Sequence, residues 1–259
     1  MKTLSILTLS FMLFTACQSE PTPLNMSSSE VPQAEILQLR NPHIVLPNDS
    51  YQLMLVTTKD WNSKTGTLQR YEKNHEHNTA TWVKVGEPIE IILGRNGLGW
   101  GKGLHTTPKN AIYIKKEGDG RAPAGLFTLG NGFGYSDFNI SFPYSTYKRT
   151  DHCVDDSNSQ WYNKIIDSTK VKKDYKSFEH MKLNNHLYRY GITVNHNPEQ
   201  IKNAGSCIFM HIRSGNGKGT AGCTAMNEEK IMTILKWLKK EDKPLLLQLP
   251  KEEILNINI

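Results

Sequence analysis

The sequence predicts a mainly β domain, and three observations carry that prediction. Residues 66–72 and 81–86 alternate apolar and polar side chains, the two-residue period of a half-buried strand. Such runs follow one another closely and are punctuated by Gly, Asn and Pro, which end strands and form turns. The composition, 37% hydrophobic and 22% charged, is that of a chain able to bury a core and excludes a disordered class.

Taken in order, the first strand is expected at 51–58, an apolar-rich run, followed by 66–72, 81–86 and 88–94. Four glycines between 97 and 103 mark a turn-rich stretch, and 111–114 reads as a further strand. Residues 116–127 form a second turn-rich segment running into 127–129. Its glycines allow positive φ and Pro123 fixes its own φ, but it lacks the Lys-Ser/Thr ending of a phosphate-binding loop. From 130 to 190 the texture changes to Asp, Asn, Ser, Tyr and Lys without clean alternation, which reads as an elaboration packed beside the core and walling the site. Asp155 and Asp156 are adjacent, so on a strand they point apart; a surface turn or a helix start is expected there. Near the C-terminus, Asn227 precedes two glutamates, and Ile231, Ile234, Leu235 and Leu238 recur at helical spacing, with 242–244 expected to stop the helix. Residues 245–249 read as a buried closing strand.

The ends of the chain have a different character. Lys2 and the short apolar run 4–15 form a signal peptide, too brief to span a bilayer comfortably. The run ends at Leu13-Phe14-Thr15-Ala16-Cys17, which resembles the bacterial lipobox and makes Cys17 the expected lipidation site. Residues 1–17 are thus a lipoprotein-type signal, 18–49 a Ser/Pro/Glu/Gln-rich tether, 50–250 one domain and 251–259 a tail. An exported protein anchored at the cell envelope, facing the periplasm, is expected. The formal charge of +6 is modest and scattered, with no aromatic-interleaved basic module, so nucleic acid is not an expected partner.

Export bears on the cysteines, because disulfides persist in oxidising compartments. With Cys17 assigned to lipid, Cys153, Cys207 and Cys223 remain. Three is odd, so either one thiol stays free and two pair or all three are free; if Cys223 is the nucleophile, the one pair left is Cys153–Cys207.

The chemistry concentrates in 205–226. On a strand from 207 to 211, Cys207, Phe209 and His211 share one face, and Ile208 and Met210 the other. His211 ends that apolar run, and Cys223 lies in a Gly-containing turn shortly after it. A thiol is a weak acid and needs a neighbouring imidazole to react at neutral pH, so His211 and Cys223 are a candidate base and nucleophile. This reading expects Cys223 to have a depressed pKa. Thr220 and the backbone around Gly222, Cys223 and Thr224 are candidate donors to an oxyanion, and Arg213 to a substrate carboxylate. Two other readings stand beside it: inert buried Cys and His, or a soft metal site of Cys207, His211 and Cys223. The latter lacks C-x-x-C spacing and a fourth ligand, so no metal or cofactor is expected.

His211, Thr220, Gly222 and Cys223 resemble the motif of the L,D-transpeptidase catalytic-domain family, a His followed by a loop and Ser/Thr-x-Gly-Cys. Residues 120–127 resemble its Thr-Pro-x-Gly-x-Phe segment, with Ala122 in place of Thr. Ala221 stands where many members carry a second His, and Ala225 where they carry Arg or Asn. The pattern Gly-Ser-x-Ile-Phe-x-His with Thr-x-Gly-Cys-x-Ala looks like a divergent subgroup. The resemblance implies a β-sandwich-like catalytic fold with a few helices and an inserted irregular region. It implies that Cys223 attacks a carbonyl of a peptidoglycan stem peptide, that His211 is its base, and that the Ile212 carbonyl orients the imidazole. The thioester is resolved by an amine in a transpeptidase, or by water in a carboxypeptidase or endopeptidase of the same fold. A catalytically inactive, lipid-anchored wall-binding protein is the non-enzyme alternative. Papain-like wall hydrolases place Cys before His, and sortases need a downstream Arg that is absent after Cys223. Oligomeric state is not expressed in the sequence.

Overall fold

The computed structural model describes residues 41–73, 81–215 and 217–254; the signal, the lipobox with Cys17 and most of the expected tether lie outside them. The fold is mainly β, 37% strand and 6% helix. Its strands are β1 (Gln52–Thr58), β2 (Thr65–Lys73), β3 (Trp82–Ile92), β4 (Leu98–Trp100), β5 (Ala122–Gly134), β6 (Tyr144–Thr146), β7 (Asp151–Val154), β8 (Ile165–Asp167), β9 (Phe178–His180), β10 (Tyr190–Val194), β11 (Phe209–Ile212), β12 (Thr224–Met226) and β13 (Leu245–Pro250). Among the described residues there is one α-helix, α1 (Glu228–Trp237), and a short 3-10 turn at Lys251–Glu253.

Ten strands form the main sheet, ordered β10-β11-β12-β3-β2-β1-β13-β5-β4 with β6 on β5. Because β5 also pairs with β10, the hydrogen bonding runs round the sheet and returns to its start. The long β5 makes this closure by pairing with β13 at Gly125–Thr128 and with β10 beyond, where the register shifts between Ile192 and Val194. A closed sheet removes exposed edges and wraps its inner side chains into one core. The innermost pair is parallel, β1 on β13, and both are buried nearly throughout. That burial on both faces is why residues 53–56 and 245–247 are continuous apolar runs rather than alternating ones.

Several expectations are corrected. The runs 81–86 and 88–94 are largely one strand, β3, carried through Gly86 at φ +62 where the register with β2 shifts. Residues 111–114 form no strand; Ile114 makes only a bridge to Trp100, and Ile112 is 86% exposed. The turn-rich segment ending at Phe127 is extended strand from Ala122 onward. Gly125 there has φ +126, and a Cβ would fall 2.0 Å from the His105 ring, so no larger residue fits. The helix ends at Trp237, where Leu238 turns extended, several residues before Pro244; its Asn227 cap makes no side-chain bond. The tether cannot run to 49, since Ile44 joins the core and the Asn41 side chain bonds the Glu253 carbonyl at 3.1 Å. The tail likewise begins packed, with Ile254 buried.

The stretch 130–190 contributes the end of β5 and β6 to the main sheet. It also holds a separate antiparallel sheet, β8-β7-β9. Asn163 attaches this small sheet to the main body: its Nδ2 donates to the carbonyls of His196 and Asn197, both at 2.8 Å, and its Oδ1 accepts the Cys207 N–H at 2.9 Å. His196 is 2% exposed; its Nδ1 accepts the Lys102 N–H at 3.2 Å, so Nε2 carries the proton given to the Ala204 carbonyl at 3.0 Å. Burial lowers its pKa to about 4.

A second proton on His196 would cost the Lys102 bond and bury a charge. The unfolded chain protonates this residue near pH 6.5 and the folded one near 4, so its contribution is full above 6.5 and is lost as pH falls through that window. Urea unfolding should therefore show stability falling by roughly 2–3 kcal/mol from this residue between pH 6.5 and 4.5, and His196→Gln should flatten that slope. Equal slopes in the two proteins would refute the assignment.

Candidate active site

Parallel pairing of β11 with β12 places the two reactive residues. Met210 faces Thr224 and His211 faces Ala225 in register. Side chains alternate along each strand, so Met210, Ile212 and Met226 enter the main core, while Phe209 and Cys223 belong to a second apolar cluster with Tyr188 and Cys207. His211 points to that same side, its ring meeting the Tyr188 ring edge-on at 5.2 Å. Cys223 and His211 are thus diagonal neighbours on one side of the pair, 6% and 7% exposed.

Each is held by the backbone. His211 Nδ1 lies 2.8 Å from the Ile212 carbonyl oxygen, so Nδ1 carries a proton and Nε2 has a free lone pair. The Cys223 Sγ accepts the Phe209 N–H at 3.3 Å and points its own hydrogen toward the Cys207 carbonyl at 3.6 Å. The chain before Cys223 is tied to the end of β3: Thr220 N–H donates to the Leu93 carbonyl at 2.8 Å, and the Arg95 N–H to the Thr220 carbonyl at 2.9 Å. Gly219 permits that approach, because a Cβ there would sit 2.3 Å from the Arg95 Cα.

The candidate oxyanion donors divide. The Thr220 hydroxyl gives its hydrogen to the Cys223 carbonyl at 2.6 Å and accepts the Gly222 N–H at 3.1 Å. Thr220 therefore builds the turn, and the Gly222 N–H is already taken. The Thr224 side chain faces the core, 1% exposed, and bonds the Gln248 side chain at 2.6 Å, so its hydroxyl is committed to the core. Arg213 donates its N–H to the Met226 carbonyl at 2.7 Å and lines a 540 Å³ cleft with His186 and Glu228 beyond the end of β11.

Cys207 is joined to Cys153 in a disulfide, so its sulfur offers no thiolate to a metal. It sits outside the strand at φ +54, a left-handed conformation, which corrects the expectation of a strand beginning at 207. Asp156 caps a turn, accepting the N–H groups of Asn158 and Lys176 at 3.0 and 2.9 Å, while one Asp155 oxygen is buried without a partner.

Electrostatically the resting pair is neutral. Burial pushes the Cys223 thiol well above its ordinary value, and the Glu179 carboxylate adds to this; the Phe209 N–H opposes them. Burial thus works against the depressed thiol pKa that the sequence reading expects. Burial also lowers the His211 pKa, so at neutral pH the imidazole is an unprotonated base. Sequence reasoning missed Glu179 and Tyr188, whose hydroxyl donates to Glu179 Oε2 at 2.6 Å.

A family model for the L,D-transpeptidase catalytic domain (YkuD) matches residues 60–246. The chain belongs to that family. The matched span runs from the end of β1 into β13 and contains both Cys223 and His211. Neither the curated proteins nor the solved structures compared with it gave a match. Membership makes this an enzyme-family fold of the cell wall, with peptidoglycan the substrate class that the domain implies.

The disulfide closes a loop across a sequence separation of 54 residues and holds the small sheet against the turn before β11. Reduction, or Cys153→Ser with Cys207→Ser, should lower unfolding free energy by about 2–4 kcal/mol in urea titrations. Unchanged stability would mean that the loop is already ordered without the bond.

Proposed function

We propose that the protein is a peptidoglycan-modifying cysteine enzyme in which Cys223, with His211 as general base, forms a thioester with a stem peptide that an amine then resolves. The observation that supports this most is the orientation of His211: its Nδ1–H is fixed on the Ile212 carbonyl, and its basic Nε2 is left on the side that carries Cys223.

The neutral resting pair favours proton transfer concerted with attack over a standing thiolate. As Sγ bonds to the substrate carbonyl carbon, its proton passes to His211 Nε2 and the carbonyl oxygen becomes an oxyanion. Collapse re-forms the C=O bond and breaks the C–N bond; the departing amine takes the proton from Nε2, leaving a thioester. An acceptor amine attacks that thioester, gives its proton to Nε2, and the thiol leaves with it. With water as acceptor the same steps give hydrolysis. Arg213, in the cleft beyond the Ile212 carbonyl, is suited to a substrate carboxylate. Residues 1–17 support an exported lipoprotein held at the membrane through Cys17, facing the envelope polymer.

Incubating the soluble domain with purified disaccharide-tetrapeptide should give a mass adduct on Cys223 that an added amine discharges into a cross-linked product. Discharge to water alone would make the enzyme a hydrolase, and no adduct on folded protein would favour a binding protein. Cys223→Ala and His211→Ala should both lose turnover at least a hundredfold while staying folded by circular dichroism. Because the base must be unprotonated, kcat/KM should fall on the acid side with a midpoint below 6.5, the ordinary histidine value. A midpoint above 6.5 would remove His211 from that role.

A further inference from the structure

The inserted sheet carries a carboxylate that the proposed chemistry does not use. Glu179, on β9, lies directly opposite Cys153 in the pairing with β7, and Cys153 is bonded to Cys207. The Cys207 carbonyl is the group toward which the Cys223 thiol points. On its other side Glu179 accepts the Tyr188 hydroxyl at 2.6 Å. The Tyr188 ring is wedged edge-to-face against His211 at 5.2 Å, Phe209 at 5.6 Å and Phe133 at 5.9 Å. One residue thus reaches the nucleophile through the disulfide and the base through an aromatic ring.

We infer that Glu179 is a positioning residue for His211: it anchors Tyr188 as the wall that orients the imidazole. A plain packing role does not account for the choice of a carboxylate. Phe178, its neighbour, stacks on His152 at 3.8 Å and serves the small sheet's own packing. Glu179 instead holds the Tyr188 hydroxyl, and Tyr188 packs on His211.

The charged groups around it act together. Asp155 and Glu117 face Glu179 and, with burial, raise its pKa, while the Tyr188 hydroxyl bond opposes them. Lys115 acts on Cys223 in the opposite sense to Glu179 but is itself occupied by Asp119 at 2.7 Å. Glu117 is engaged by the Tyr162 and Ser206 hydroxyls at 2.5 and 2.7 Å. Tyr135 holds the Tyr188 N–H at 3.2 Å, fixing the ring from its backbone side.

The inference rests on the proposed roles of Cys223 and His211, so its test is made on the resting protein without peptidoglycan. Glu179→Gln keeps an oxygen for the Tyr188 hydroxyl and removes the charge. That variant should keep the Tyr188 anchor, with folding unchanged. Glu179→Ala removes the anchor as well. In its histidine 15N spectrum His211 should lose the single Nδ1–H tautomer that the wild type and Glu179→Gln retain. Loss of the Nδ1–H tautomer in folded Glu179→Gln would overturn the inference, because the anchor for the Tyr188 hydroxyl is kept there. A His211 tautomer unmoved in folded Glu179→Ala would overturn it equally.

Discussion

The register between β11 and β12 is the constraint on which the rest of the molecule depends. Pairing Met210 with Thr224 sends one set of side chains into the main core and the other set outward. A slip of one residue would exchange them: His211 would enter an apolar interior, and Met210 would take its place beside the small sheet. The register is held from inside by the Thr224–Gln248 hydrogen bond, and Gln248 in turn donates to the Pro123 carbonyl at 2.9 Å. Three strands, β12, β13 and β5, are thereby locked through one buried amide, which would leave unpaired polar groups in any other arrangement.

Outside that barrier the inserted region completes what the main sheet begins. The closed sheet provides the backbone groups that fix His211 and Cys223, but it leaves them on its outer side. The small β8-β7-β9 sheet, the disulfide and Tyr188 cover that side and give it a low-dielectric character. Burial then has opposite consequences for the two residues: it disfavours imidazolium and thiolate alike, so the pair rests neutral with the proton on sulfur. Such a site depends on a base that is already aimed, since it has no standing anion to draw the substrate in.

Much of this was legible in the sequence, and the exceptions have physical reasons. The strands at 51–58, 66–72 and 245–249 and the face of α1 declared themselves because local periodicity and burial agree there. Residues 111–114 misled because all four are hydrophobic yet lack a neighbouring strand; only Trp100 pairs with Ile114, and Tyr113 stacks on Trp61 instead. Gly86 and Pro88 read as a break, but β3 absorbs them through a bulge. Cys223 and His211 could be picked out because thiol and imidazole are chemically distinctive. Glu179 could not: a glutamate in a polar stretch looks like surface until the pairing with Cys153 is known.

The bridge between Gly94 and Thr220 divides the connection from β11 to β12 into two unlike parts. From Thr220 onward the chain is clamped against β3 and delivers Cys223 to a fixed point. Ahead of it, Ser214, Gly215 and Gly217 border the cleft that holds Arg213, and a side chain added at Gly215 would meet nothing within 4 Å. One connection thus fixes the nucleophile at one end and shapes the mouth of the cleft at the other, and the two parts meet at a single threonine.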